Sequence, residues 1–314
     1  MPSQSNGGLE LVEEGWNGSS RVKPVATTAL LAAAARARES AGIYPLFHDP
    51  YARRLAGVEG IRLLERLETD VPEAAGLIGV VIRTYFMDRQ LERLLVDRSV
   101  SQVVLLGAGM DTRAYRMNSA GKSEGVANQI TPRNQGDEIR FFEVDDPELL
   151  KLKEYRLHGA STLPHIQRIP VGGDLESTDL ADLLVGHGLD PALPIAWIVE
   201  GLFIYLQESS VHRLLSSITH LSVPGSHLLC DIVSRTLLAH GMTSGLRQHF
   251  ATGGFSMQFG TDDPAVLLGK YGWQAVVHTM SAIGVSAGKL PVAANSGVTP
   301  TYGDGYLISA TYGL

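Results

Sequence analysis

Short apolar runs alternate with helix-like segments from about residue 102 to the end of the chain. This alternation is typical of a doubly wound α/β sheet, because each buried strand is followed by a helix that covers a face of the sheet. The clearest run is at residues 103–106, where four consecutive apolar residues suit a strand buried on both faces. The predicted strands lie near residues 102–106, 139–145, 165–170, 194–199, 226–233, 273–278 and 305–312.

The first hundred residues carry helical patterns instead. Pro24 stands near the start of an alanine-rich run that reaches Arg38, and proline is favoured in the first turn of a helix. Apolar residues then recur at spacings of three and four between residues 74 and 96, which predicts an amphipathic helix. We therefore expect residues 1–97 to form a tail and a helical cap, and residues 98–314 to form the core that contains the sheet.

Two glycines follow the first predicted strand, and an acid ends the second. Gly107 and Gly109 have no Cβ, so the chain can turn sharply there and a ligand can approach the main chain closely. Asp145 ends the next strand, where its carboxylate can accept hydrogen bonds from both hydroxyls of a ribose. The combination predicts a nucleoside-binding site, whereas the glycines alone would also fit a tight structural turn.

Two segments are predicted to be loops. Residues 118–138 are rich in glycine, asparagine, serine and glutamine and show no apolar period, which indicates a polar surface loop. This insertion explains why Asp145 lies 36 residues after Gly109, where a plain βαβ unit places its acid roughly 20 residues on. Residues 281–300 carry many small residues and two prolines, and a loop is predicted there as well.

The third residue after Gly109 distinguishes between nucleoside ligands. Dinucleotide sites carry a third glycine, which lets the helix pack closely below a pyrophosphate. Thr112 stands at that position here, between Asp111 and Arg113. This favours a ligand without phosphates at the helix terminus, such as S-adenosylmethionine, over the cofactor of a Rossmann dehydrogenase.

Several ordered blocks resemble one known family. The most specific is L-G-A-G-M-D-T-R-A-Y-R at residues 106–116. Further blocks are T-A-L at 28–30, A-R-A-R-E at 35–39, H-D-P-Y-A at 48–52, R-T-Y-F-M-D at 83–88, F-E-V-D-D-P at 142–147, G-D-L at 173–175 and E-G-L-F-I-Y-L at 200–206. On these residues the chain resembles the leucine carboxyl methyltransferase-like family of S-adenosylmethionine-dependent O-methyltransferases, in the branch of bacterial polyketide and small-molecule carboxyl methyltransferases.

The resemblance implies a fold and a cofactor. The expected fold is the Rossmann-like class I methyltransferase, a seven-stranded doubly wound sheet with a reversed last strand and an N-terminal helical cap. The expected cofactor is S-adenosyl-L-methionine. Backbone groups of Gly107, Ala108 and Gly109 would contact its amino acid and ribose portions, and Asp145 would bind the ribose.

The resemblance also assigns residues on later strands. Asp174 would accept from the adenine amino group and Leu175 would lie against the ring, although Asp174 could instead cap a helix. Glu200 would meet the amino group of the methionine moiety or lie beside it. Tyr205 would lie near the methyl donor as a positioning residue, or would be core packing.

Two arginines of the predicted cap are candidates for the carboxylate of the cofactor. A guanidinium can bind a carboxylate through two parallel hydrogen bonds. Arg83 and Arg36 match the family blocks and would play this part. Arg38 is close enough to Arg36 in register to replace it.

The chemical class of the methyl acceptor determines whether the enzyme needs a general base. A carboxylic acid with a pKa of about 3.5 to 4.3 is already ionised at neutral pH, whereas a phenol with a pKa of about 10 benefits from a general base. Methyl esterification of a small-molecule carboxylate, such as that of a polyketide, is therefore compatible with a chain that shows no obvious catalytic dyad. A phenol or hydroxyl methyltransferase would need a base, with His249 or His212 as candidates. A scaffold protein that binds the cofactor without catalysis is the remaining alternative.

The composition of the chain argues against several classes of partner and cofactor. The 314 residues are 44% hydrophobic with a net charge of −7, which suits a large core and gives no basic stripe for nucleic acid. No apolar segment approaches the roughly 20 residues that cross a bilayer, and the N-terminal residues lack the pattern of a signal peptide. Cys230 has no second cysteine to pair with, which fits a reducing cytoplasm. The ten histidines show no metal-ligand spacing, so we expect no metal.

Overall fold

Seven strands form one sheet in the computed structural model of the chain. The structure describes residues 24–71, 77–117, 138–163, 165–240, 244–252, 256–291 and 304–313. The strands are β1 Gln102–Leu106, β2 Ile139–Asp145, β3 Ile166–Gly172, β4 Ile195–Val199, β5 His227–Val233, β6 Trp273–Thr279 and β7 Gly305–Tyr312. All seven lie within two residues of their predicted bounds, and the signal is clearest for β1 and β4, which are mainly apolar and are buried along their whole length.

The order of the strands is β3-β2-β1-β4-β5-β7-β6. Strands β1 to β5 pair in parallel, and β7 runs antiparallel to both β5 and β6. The predicted doubly wound sheet with a reversed last strand is therefore confirmed. Because β1 pairs with β2 on one side and β4 on the other, the winding reverses at β1, and ligands of open α/β sheets bind at the carboxyl ends of the strands beside such a point.

Helices cover both faces of the sheet. They are α1 Pro24–Ser40, α2 Ala52–Asp70, α3 Ile78–Val96, α4 Arg113–Arg116, α5 Pro147–Arg156, α6 Leu180–Gly186, α7 Glu208–His220, α8 Arg235–Ala239, α9 Ser244–Thr252, α10 Pro264–Gly269 and α11 Met280–Ser286, with a short 3-10 helix at Phe203–Tyr205. Within the described ranges, no helix is both long and apolar enough to span a bilayer.

The sheet separates two hydrophobic clusters. Val103 and Leu105 point toward α1, α2 and α3, whereas Val104 and Leu106 point toward the opposite face. Helices α1 and α2 cross closely, since a Cβ on Gly60 would lie 2.8 Å from the backbone oxygen of Leu30. The helices that precede β1 thus cover one face of the sheet. A division of the chain into a cap and a core at residue 97 stays a prediction.

The loop predicted at residues 281–300 is wrong in its first part. The side chain of Thr279 accepts a hydrogen bond from the Ala282 amide and starts α11. A Cβ on Gly284 would lie 2.7 Å from Ile82 Cδ1, so α11 packs directly on α3. Tertiary packing of this kind overrides the weak local preference of small residues. The rest of that segment from residue 292, and the predicted loop up to residue 137, lie outside the described residues.

Candidate active site

The turn after β1 has the backbone conformation that its two glycines permit. Gly107 has φ 71° and Gly109 has φ 48°, both in the left-handed region. The amides of Gly107 and Ala108 donate to the Val144 carbonyl at 3.0 and 3.1 Å, which ties the turn to the end of β2. Side chains at either glycine would also be crowded, since a Cβ on Gly107 would lie 3.3 Å from Leu202.

Helix α1 lies directly over the same turn. A Cβ on Gly109 would come within 3.2 Å of the Cβ of Ala29. The predicted cap therefore meets the predicted nucleoside site at this position. The two glycines leave a cradle of bare main chain that a Cβ at either position would fill.

Asp145 and the glycine turn are in direct contact. The Asp145 carboxylate accepts from the Gly109 and Asp146 amides, both at 2.6 Å, and the residue is 7% exposed. Burial raises the pKa of Asp145, although the two amides counteract part of that effect. Asp146 accepts from the Glu148 amide at 2.8 Å and caps α5. Binding of a ribose by Asp145 stays a prediction.

Asp174 lies on an exposed turn after β3, where the carboxylate has local partners. Its oxygens accept from the Glu176 amide at 2.9 Å and the Ser177 hydroxyl at 2.8 Å, and these bonds lower its pKa. These contacts close a turn; the next helix, α6, is capped by Asp179, so the helix-capping alternative for Asp174 is wrong. The Gly173 amide donates to the Asp145 carbonyl at 3.0 Å, so the segment does lie beside the candidate site. Leu175 is half-buried, and the adenine contacts of both residues stay predictions.

The two candidate arginines of α1 have different surroundings. Arg36 is buried, and it donates to the Asp49 carboxylate at 2.9 Å and to the Met110 carbonyl at 2.5 Å. Arg38 is bound to Glu68 at the surface. Since Met110 follows the glycine pair directly, Arg36 is the arginine of this helix that faces the turn.

Glu200 lies just after β4 between two arginines. Its carboxylate is 3.0 Å from Arg83 Nε and 2.8 Å from Arg113 Nη2. Burial alone would raise the pKa of Glu200, but Arg113 and Arg83 outweigh it and lower the pKa to about 2. Arg83 also reaches Asp231 of β5 at 3.2 Å. The predicted contacts of Glu200 and Arg83 with a methionine moiety stay predictions, since both side chains have protein partners in this structure.

Sequence reasoning missed the remainder of this ion-pair network. Asp88 of α3 accepts from Arg113 Nε at 2.7 Å and from Arg116 Nη1 at 2.6 Å. The available signal was Arg113 and Arg116 three residues apart inside the most specific block, because that spacing places both on one helix face. We name this set the arginine network: Arg36, Arg83, Arg113, Arg116, Asp49, Asp88, Asp111, Glu200 and Asp231.

The charge of the arginine network suits a cationic ligand. Its members include five acids and four arginines. With every group ionised, one negative charge is left over in a largely buried region. S-adenosylmethionine, with a sulfonium, an ammonium and one carboxylate, has one net positive charge. The cradle of main chain and the charge of the network both fit this cofactor.

Tyr205 and His212 lie on different elements. Tyr205 lies in the 3-10 helix after β4, where burial raises its pKa and Arg83 opposes the shift. His212 lies on α7 with Nδ1 2.6 Å from the Tyr271 hydroxyl. Tyr271 precedes the amino end of β6, whereas the glycine turn follows the carboxyl end of β1. The side chain of His249 lies outside the described part of the structure.

Among the described residues, no group of three or more His, Cys, Asp or Glu side chains is arranged to hold a metal ion. The candidate site thus consists of bare main chain, carboxylates and guanidinium groups.

Solved structures share this architecture. A methyltransferase-type protein of Thermobifida fusca superposes with a TM-score of 0.59 at 17% identity, over 95% of this chain and 99% of the other. A DUF574 family protein of Streptomyces avermitilis superposes with a TM-score of 0.54 at 17% identity, over 92% and 100%. These similarities support the Rossmann-like methyltransferase fold predicted from the sequence.

Sequence comparison identifies the family. The leucine carboxyl methyltransferase family model matches residues 29–219. A Streptomyces coelicolor protein whose name assigns it to the S-adenosyl-L-methionine-dependent methyltransferases is 35% identical over 274 residues, covering 83% of this chain and 87% of the relative. A Frankia alni protein named in the same way is 36% identical over 273 residues, with the same coverage. The chain therefore belongs to the leucine carboxyl methyltransferase family of S-adenosylmethionine-dependent methyltransferases.

Proposed function

We propose that this methyltransferase esterifies a carboxylate of a small molecule such as a polyketide. One observation carries the proposal: among the described residues, the titratable groups around the Glu200–Arg83 pair are arginines, paired acids and Tyr205, whose pKa is raised. None of these is suited to take a proton from an alcohol at neutral pH. A carboxylate acceptor needs no such step, because it is already ionised.

Named residues would hold the cofactor. Residues 107–109 would present main-chain groups to its ribose and amino acid portions, and Asp145 would accept from the ribose hydroxyls. Asp174 and Leu175 would contact the adenine. Arg36 and Arg83 would lie near the carboxylate end, and Glu200 near the ammonium group. The contacts that support these roles are the Asp145 bond to Gly109 and the Arg36 bond to Met110.

Bound S-adenosylmethionine supplies a methyl group that is already activated on a sulfonium. On transfer, the acceptor oxygen would form a bond to the methyl carbon while the carbon–sulfur bond breaks and its electron pair stays on sulfur. No proton moves when the acceptor is a carboxylate. The protein therefore acts by positioning the two reactants and by excluding water, with Tyr205 as a positioning residue.

The proposed place of reaction is the cytoplasm. Cys230 is buried and is the sole cysteine of the chain, which is compatible with a reducing compartment. Its pKa is raised by burial, so the thiol is poorly reactive.

The direct test is transfer of a labelled methyl group from S-adenosylmethionine to a panel of aromatic and aliphatic carboxylic acids. The panel is paired with the corresponding alcohols and phenols. We expect base-labile methyl esters of at least one acid. Methyl ethers from the phenols, with a rate that rises with pH, would support a hydroxyl methyltransferase instead. Cofactor binding without transfer to any compound would support a scaffold protein.

A further inference from the structure

A cleft of about 360 Å³ opens beside α8 and α9. None of the residues proposed to hold the cofactor lines it. Its volume lies within the range of small-molecule sites, which is about 300 to 1,000 Å³. Polar and apolar side chains line it together: Glu208, Arg235, Arg247, Gln258, Leu238 and Phe259.

The cleft and the glycine turn both lie at the carboxyl ends of the parallel strands. Strand β5 ends at Val233 and leads through Ser234 into α8, so the carboxyl ends of the parallel strands point toward this region. The amide of Gln258 donates to the Ile204 carbonyl at 2.7 Å, and its side-chain amide donates to the Tyr205 carbonyl at 3.0 Å. The wall of the cleft is therefore hydrogen-bonded to the 3-10 helix that carries Tyr205.

Tyr205 connects the cleft with the arginine network. Arg83 and Asp231 are the charged groups that influence the pKa of the Tyr205 phenol. Its side chain therefore lies near Arg83, while its backbone oxygen belongs to the cleft wall. A ligand in the cleft would therefore lie next to the 3-10 helix whose tyrosine faces the arginine network.

The charges around the cleft favour an anion. Arg235 Nη2 is 3.3 Å from Glu208 Oε1, but both side chains are 62% exposed, and pairs of that kind contribute little. Arg235 Nε donates to the Gly260 carbonyl at 3.0 Å, which holds the guanidinium at the cleft. Arg247 forms no ion pair with any residue in the described ranges. Two arginines thus face one glutamate, which leaves an excess positive charge.

The remaining walls favour an apolar body on the same ligand. Phe259 is buried and packs with its ring 6.4 Å from that of Phe203. Leu238 and Ala239 line the cleft from α8. An organic acid with a ring or a chain would bury its apolar part against these side chains and present its carboxylate to the arginines.

We propose that this cleft binds an organic carboxylate, the methyl acceptor of the proposed reaction, and that Arg247 and Arg235 select for its negative charge. The inference rests on the proposed function and names the substrate class and two specificity residues for it. Neither arginine belongs to the cofactor side of the site.

The test uses 2-naphthoate and benzoate as probes, with 2-naphthamide and benzamide as neutral partners of the same shape. Binding is measured by calorimetry on the full chain saturated with S-adenosylhomocysteine. We expect the acids to bind about tenfold more tightly than the amides, because a charge-assisted pair is lost with the amides. Arg247→Ala should weaken acid binding about tenfold, leave amide binding unchanged, and leave cofactor affinity unchanged.

Matched variants separate a specific role from a general charge effect. Arg62→Ala removes the same charge from the exposed surface of α2 and should leave every affinity unchanged. Arg247→Lys should recover part of the acid affinity, since the charge returns without the planar fork. In turnover with an accepted acid, Arg247→Ala should raise KM and leave kcat nearly constant.

The outcomes distinguish the inference from the proposed function. Esterification with the same KM in wild type and in the Arg235→Ala, Arg247→Ala double variant would overturn the inference and leave the function standing. Binding of 2-naphthoate that is lost in Arg247→Ala, without transfer to any acid, would support an anion-binding cleft and reject the function. Equal affinity for acids and amides, or no binding of either, would overturn the inference.

Discussion

Asp145 has one observed contact and one proposed role, and substitution can separate the two. Its carboxylate holds the Gly109 amide at 2.6 Å and is the proposed acceptor for the ribose hydroxyls. Asp145→Ala should therefore weaken binding of S-adenosylhomocysteine about tenfold or more, because hydrogen bonds to a charged group contribute about 1.5 to 3 kcal/mol. Calorimetry gives the affinity, and thermal unfolding reports the loss of the turn contact.

Asp145→Asn is the control for shape. The amide oxygen can still accept from Gly109, so the variant should lose less stability than the alanine variant. It carries no charge, so its affinity for S-adenosylhomocysteine should stay below that of wild type. An unchanged affinity in Asp145→Ala would remove this residue from the cofactor site.

Glu200 predicts a specific dependence of stability on pH. Its pKa is about 2 in the folded protein and 4.5 ordinarily, so the ionised form stabilises the fold above pH 4.5. That contribution is lost as the pH falls from 4.5 toward 2, and it amounts to something on the order of 3 kcal/mol. Glu200→Gln should lower the free energy of unfolding by a similar amount at pH 7. The difference between variant and wild type, followed by urea unfolding, should shrink below pH 4.5.

Other acids of the network also titrate at low pH, so the difference between the two proteins is the quantity to compare. A gap between wild type and Glu200→Gln that stays constant from pH 7 to pH 3 would contradict the ion pairs with Arg83 and Arg113.

At the level of elements, the contact between α1 and the glycine turn is open to a matched test. Gly109 and Gly159 have φ 48° and 80°, so alanine strains the backbone at both positions, by about 1 kcal/mol. A Cβ at Gly109 would lie 3.2 Å from the Cβ of Ala29, whereas nothing lies within 4 Å at Gly159. Gly109→Ala should therefore lower the Tm more than Gly159→Ala and should also weaken binding of S-adenosylhomocysteine.

The contact itself can be restored from the other side. Adding Ala29→Gly to Gly109→Ala removes the opposing Cβ and should recover part of the stability, beyond what Ala29→Gly does alone. Equal Tm values for Gly109→Ala and Gly159→Ala would show that backbone strain, and not the helix above the turn, accounts for the effect.

Elements were easier to predict from the sequence than side-chain partners were. Apolar runs such as residues 103–106 identify strands because burial on both faces demands them. Helix α11 was missed because its cap on Thr279 and its packing on α3 depend on residues far apart in the chain. The pairing of Glu200 with Arg83, 117 residues away, leaves no local pattern at all. The family resemblance identified candidate residues, whereas the folded structure shows which side chains they contact.

At the scale of the whole molecule, the arginine network joins both parts of the chain. Arg36 and Arg83 lie on the helices that precede the sheet, while Glu200 and Asp231 lie at the ends of β4 and β5. We propose that these helices act as a cap over the bound cofactor. Removing one partner of such a pair would leave a buried charge uncompensated, so the cap and the sheet depend on each other.

This cap predicts where hydrogen exchange will change when a ligand binds. S-adenosylhomocysteine at about 100 times its Kd stabilises the folded state by about 2.7 kcal/mol. If it binds beside the glycine turn and is covered by the N-terminal helices, local openings of α1 and α3 become rarer, and their amides should exchange more slowly at short times. Strands β6 and β7 lie at the side of the sheet away from β1 and serve as the internal reference at the same short times, before global unfolding contributes to exchange. Slower exchange at the glycine turn without any change in α1 would place the cofactor outside the cap, because a helix that covers a ligand cannot open as freely while the ligand is bound.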